Sequence, residues 1–229
     1  MAYTSEVPAL HEAQPRSARW IRVLAGLILL IGVVAGGSGV IYAVNSLTIV
    51  PATVHVPVTL LPDDGSWDSV QLAIEGVQIE DGWITTLPPA GFGTGDGGQV
   101  TVAAWGSTYL EQFLSRGDVL VGGLALLAGA MLLRPILLSV AAGSPFATGN
   151  ARRLSLLALV IAVAGSLAPL LPQIAGVRVL ERLGLADDGI FSTTPQLTLE
   201  PLLVAALVLV VAAAFRSGEQ LARDSDGLV

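Results

Sequence analysis

The chain has 229 residues, 53% of them hydrophobic and 13% charged, with a net charge of −7 and a mean hydropathy of +0.73. A soluble domain carries about a quarter charged residues, so lipid must solvate much of this chain. The absence of cysteine excludes disulfides, thiolate metal sites and Cys nucleophiles; the absence of lysine excludes Walker and Schiff-base lysines; and the acidic balance argues against direct nucleic-acid binding.

The pattern predicts an α-helical membrane protein of four transmembrane helices. Residues 1–19 form a polar N-terminal segment, and helix 1 covers 20–47 as an uncleaved signal anchor. Helix 2 covers 118–142 and is interrupted by Arg134 and Pro135. Helix 3 covers 154–174 and helix 4 covers 197–215. Each reaches or approaches the roughly 20 residues that cross the hydrocarbon layer.

Arginine placement predicts the orientation. Arg16, Arg19, Arg22, Arg152, Arg153, Arg216 and Arg223 flank one side of the spans, and Arg116, Arg178 and Arg182 the other. Seven against three places both termini in the cytoplasm of a bacterial cell, with the protein in its inner membrane.

The segment 48–117 is then an extracytoplasmic insert. Val54, Val56, Val58 and Leu60 alternate, as do Val70, Leu72 and Ile74, and Val100 and Val102. Turn signals at Pro62–Gly65, Asp81–Gly82 and Gly91–Gly98 separate them, predicting a small antiparallel β unit of three to five strands. A short helix from about Ser107 leads into helix 2. In the second outer connection, 175–196, Val179, Leu180, Leu183 and Leu185 beside Arg178, Glu181 and Arg182 predict a short amphipathic helix lying at the outer interface.

Motifs for catalysis or metals are poor. Gly93–Gly98 spells G-x-G-x-x-G by letters but lacks the strand before and helix after that a nucleotide loop needs. Asp63, Asp64 and Asp68 lack the order of a calcium loop. His11 and His55 fall on opposite sides of the membrane, so no two-His site forms within one chain. The sequence therefore predicts no catalytic residue, no metal site and no cofactor.

Gly32 and Gly36, with Ala125 and Gly129, have the small-residue spacing that lets membrane helices approach, within the bundle or in a homo-oligomer. Arg134 is the only charge well inside a span, and snorkelling toward the headgroups is the favoured account of it.

Two cytoplasmic segments are the most distinctive. The loop 143–153 contains Pro145, Phe146, Asn150, Arg152 and Arg153, with Thr148 or Asn150 as the expected cap of helix 3. The tail 216–229 reads as an amphipathic extension of helix 4 with an acidic tip. Pro145, Phe146, Asn150 and Leu154, together with Phe215, Gly218, Leu221, Asp224, Asp226, Gly227, Leu228 and Val229, resemble the pattern of a bacterial membrane family, domain of unknown function 2975, which includes YoaS-like four-helix proteins. The resemblance covers the second half of the chain. It implies a non-enzymatic membrane partner of a small cytoplasmic helix-turn-helix regulator, with the loop and tail as the partner-facing surface. An accessory subunit of a larger membrane complex, such as a transporter, is the alternative.

Overall fold

The computed structural model describes residues 14–48, 50–60, 77–80, 99–187, 191–192 and 194–226. Ten elements follow in order: α1 (Gln14–Thr48), β1 (Val54–Leu60), β2 (Val77–Glu80), β3 (Gln99–Ala104), α2 (Tyr109–Ser115), α3 (Gly117–Ala141), α4 (Asn150–Leu167), α5 (Leu170–Leu183), β4 (Phe191–Ser192) and α6 (Glu200–Asp226). Four helical stretches are long and apolar enough to cross a membrane: 18–48, 117–141, 150–183 and 200–224. This is the architecture of a multi-pass membrane protein.

The spans lie in a row, α1–α3–α4–α6, with their principal contacts between neighbours. Small residues set the spacing. On α1, Ala25, Gly32, Gly39 and Ser46 recur every seven residues and are buried, with Gly36 and Ala43 completing the seam. A seven-residue repeat keeps one stripe of a helix facing its neighbour. A Cβ at Gly32 would sit 2.6 Å from the Ala130 Cβ, and one at Gly39 would sit 2.8 Å from the Val119 carbonyl oxygen. Gly36 lies against Leu127 and Gly123. These backbones approach so closely because nothing projects between them. The α6 seam has the same period, with Ala205, Ala212 and Glu219 buried, and Gly165 of α4 receives Pro201. Outside these stripes the spans expose large apolar side chains, such as Leu30, Ile41, Leu207 and Val210.

At one end of the row stands a small antiparallel sheet of order β2-β3-β1-β4, where β4 contributes only two residues. Val54 pairs with Ala104 and Val58 with Val100. The inward residues Val54, Val56 and Val58 of β1, with Val102 and Ala104 of β3, form the core that alternation predicts. The expected strand around Val70–Ile74 and the turns at 61–65, 81–82 and 91–98 lie outside the described residues.

The amphipathic helix needs a correction. It begins earlier, at Leu170, and continues α4 almost directly. Ala168 and Pro169 both keep right-handed helical backbone between the two. Its apolar face does not lie on the membrane: Ala175, Val179 and Leu180 join the sheet core, and Gly176 abuts the Pro57 carbonyl. Amphipathicity shows that a helix has a face to bury, and here the sheet supplies the apolar surface.

Candidate functional site

At the sheet end, polar groups bind these elements together. Thr108 and Glu111 form a capping box on α2: the Thr108 N–H donates to Glu111 Oε2 (2.9 Å), and the Glu111 N–H donates to Thr108 Oγ1 (3.3 Å). The same Glu111, 4% exposed at its side chain, accepts from Arg182 Nε of α5 at 2.9 Å. Arg182 also donates to the Trp105 carbonyl. Gln112 Nε2 donates to the Thr53 carbonyl and to Ser107 Oγ, and Ser107 Oγ donates to the Ala52 carbonyl. Gln173 ties α5 to the segment that leads into α6: its Oε1 accepts the Gln196 N–H at 2.6 Å, and its Nε2 donates to the Pro169 carbonyl.

The opposite end, where α3 turns into α4, holds the residues that the sequence singled out. Asn150 is fully buried. Its Nδ2 donates to Ser139 Oγ (2.7 Å) and to the Pro145 carbonyl (3.0 Å), and its Oδ1 accepts from Arg153 (2.9 Å). One side chain thus fastens the loop to the end of α3 and to the start of α4.

The cap of α4 differs from expectation. Neither Thr148 nor Asn150 caps it; the N-cap is Gly149, at φ 94°, and it offers no side chain. That left-handed backbone favours glycine. The orphan N–H of Ala151 donates instead to Glu219 Oε1 of α6 at 2.8 Å. Glu219 is nearly buried, with Arg223 3.7 Å away. A carboxylate at a helix N-terminus both satisfies a donor and complements the helix dipole.

Phe146 closes the assembly. Its ring packs on Phe215, with centroids 5.4 Å apart, and occupies the space that a Cβ on Gly218 would take. Ile136, Leu154, Ala212 and Phe215 form the apolar cluster beneath. The structure therefore brings Pro145, Phe146, Asn150, Arg153, Phe215 and Gly218 into one packed lock. The outward surface consists of Phe146 (44% exposed), Leu221 (70% exposed), Arg152, Arg216 and Asp224. Leu221 follows Gly218 by three residues, one turn farther out on the flank that Phe146 touches. Asp226 ends α6.

The remaining residues separate. Gly32 and Gly36 meet α3; Ala125 and Gly129 face α4, and a Cβ added at Gly129 would lie 3.5 Å from Leu157. Arg134 is exposed on α3, seven residues before its end at Ala141, and Pro135 lies within that helix without ending it. At 1.5 Å per residue it sits about 10 Å from the helix end.

The chain matches no family model, no curated protein and no solved structure. Among the described residues no three His, Asp or Glu side chains gather as metal ligands, and no buried side-chain polar atom lacks a partner. Glu219 and Glu111 were not foreseen as site residues. Glu219 had one usable signal: its seven-residue spacing from Ala212 and Ala205 puts it on the apolar seam of its helix.

Proposed function

We propose that this chain is a non-enzymatic relay in the bacterial inner membrane, which receives a signal or contact at its sheet end and presents its loop end to a small cytoplasmic helix-turn-helix regulator. The observation that carries it is the helical rod 150–183. One end of the rod is held by the Asn150–Glu219 lock. The other contributes Ala175, Val179, Leu180 and Arg182 to the sheet unit. Two helices joined end to end at Ala168–Pro169, with both outer ends packed, couple those ends, because packed contacts resist gradual deformation. In this reading both termini are cytoplasmic, as the arginine distribution favours, and Phe146, Leu221, Arg152 and Asp224 face the partner.

Two experiments test it. The chain has no cysteine, so single cysteines at Ser144 and Thr194 report sidedness directly. Ser144→Cys should react with an impermeant maleimide only after membranes are opened, and Thr194→Cys in intact cells; the reverse pattern overturns the orientation. Co-purification of intact protein and a Leu221→Asp variant from native membranes addresses the partner. Equal recovery of a helix-turn-helix protein with both removes Leu221 from the docking surface, and recovery with neither removes the regulatory reading.

The alternative, an accessory subunit of a larger membrane complex, is favoured by the open row, in which α1 and α6 each have one principal neighbouring span. Purification in mild detergent with stoichiometric membrane subunits supports it, and a lone monomer argues against it.

A further inference from the structure

The loop end of the bundle carries a band of positive charge with no matching acids. Ile136 of α3, Leu154 of α4 and Phe215 of α6 meet in one cluster, which fixes a common level across three spans. Arg134, Arg152, Arg153 and Arg216 each lie one or two residues from a member of that cluster. At 1.5 Å per residue, all four fall within about 3 Å of its level along the helix axes. Arg19 and Arg22 bring α1 to the same end. Arg22, Arg134, Arg152 and Arg216 are exposed, and Arg153 is half-buried. Among the described residues, none of the four exposed arginines has an ion-pair partner. Glu219 is the only acid in 130–139, 150–158 and 212–220, and it is buried against the Ala151 N–H. At the sheet end the spans mix signs instead, with Arg116 followed by Asp118 and with Glu200 opening α6.

Depth points to the ligand. Counting roughly 20 residues, the length that crosses a hydrocarbon core, from Gly117 brings α3 to about residue 137. That is the level of Ile136, so the band sits where hydrocarbon gives way to headgroups. A guanidinium there without a carboxylate needs another anion, because an unpaired charge at low dielectric is costly. The phosphate diester of a phospholipid is the anion present at that depth, and a guanidinium meets phosphate through paired N–H donors. In a zwitterionic lipid the headgroup ammonium offsets the phosphate, so a band of several arginines selects lipids of net negative charge. We propose that this band binds the phosphates of anionic phospholipids, and that Arg153 couples the bound lipid to the Asn150 lock. Arg153 Nη1 donates to Asn150 Oδ1 at 2.9 Å, which leaves its other N–H groups for a phosphate. A phosphate on the outer edge of that guanidinium restricts its rotamers and so steadies the bond to Asn150. The inference holds whichever side of the membrane the loop end faces, so it stands apart from the regulatory reading.

The full chain in vesicles of phosphatidylcholine alone, or of phosphatidylcholine with phosphatidylglycerol, provides the test. Lipid retained after mild detergent extraction is read by mass spectrometry, and amide exchange is followed over residues 150–154. The expected result is several-fold preferential retention of phosphatidylglycerol, with slower exchange at 150–154 in the vesicles that contain it. Arg152→Gln combined with Arg216→Gln should abolish the preference, whereas Arg178→Gln at the sheet end should leave it unchanged. Arg153→Gln should keep most of the retained lipid but remove the effect of lipid on exchange; an undiminished effect overturns the coupling. Equal retention of the two lipids, or a preference that survives Arg152→Gln with Arg216→Gln, overturns the binding band. Inorganic phosphate that slows the exchange equally in phosphatidylcholine alone assigns the band to a free anion and overturns the lipid.

Discussion

Glu219 of α6 caps Ala151 of α4: the carboxylate accepts the backbone N–H at 2.8 Å across 68 residues of sequence. Docking of α6 therefore stabilises the first turn of α4. Glu219→Ala should cost about 1–2 kcal/mol, as loss of a helix cap does, and Glu219→Gln should cost less because the acceptor survives. Thermal unfolding in detergent and amide exchange at Ala151 measure both; faster exchange in Glu219→Ala alone is the expected pattern.

Gly218 and Phe146 form a second pair. Gly218→Val should displace the ring and destabilise the loop end by about 1–3 kcal/mol, as overpacking does. Phe146→Ala opens the space that the new side chain needs. The double variant should thus lose less than the sum of the two single losses. Strict additivity would show that the two residues do not touch.

Arg182 and Glu111 give a charge test at the sheet end. Arg182→Met leaves a buried carboxylate without its ion pair, and hydrogen bonds to charged groups are worth about 1.5–3 kcal/mol. Adding Glu111→Gln removes the stranded charge and should restore part of the loss. Limited proteolysis between residues 104 and 109 reads the loosening, and no recovery in the double variant would contradict the pairing.

Adjacent glycines on α1 should behave in opposite ways. Gly36 meets Leu127 at 3.1 Å from where its Cβ would be, whereas Gly37 has nothing within 4 Å. Gly36→Leu should separate α1 from α3 and lower the unfolding temperature. Gly37→Ala should be neutral or stabilise by up to about 1 kcal/mol through helix propensity. Equal effects would mean that α1 is rotated from the orientation described.

Much of this was legible in the sequence, for definite reasons. The spans are visible because uninterrupted apolar runs have few other uses. β1 is visible because Val54, Val56 and Val58 alternate, and Gly32–Gly36 because small residues at that spacing indicate close packing. What a surface will meet is harder to see. The apolar face of α5 gives no hint that it rests on β1. The cap of α4 lies 68 residues away on another helix, beyond any local capping rule. The loop and tail motifs were each visible, but their convergence through Phe146 and Gly218 is a property of the antiparallel α4–α6 packing.

The open row has a consequence for how the chain can be divided. α1 with α3 and α4 with α6 are two antiparallel pairs, each closed by its own small-residue seam. The pairs meet along the α3–α4 boundary and through α5 on the sheet. Two separately translated fragments, severed at Gly143, should therefore insert as self-contained hairpins and recombine in the bilayer. Of the groups bonded to Asn150 only Ser139 lies on the first fragment, so the recombined halves should assemble as a pair, with the lock kept on the second fragment and rejoined to the first through the Asn150–Ser139 bond.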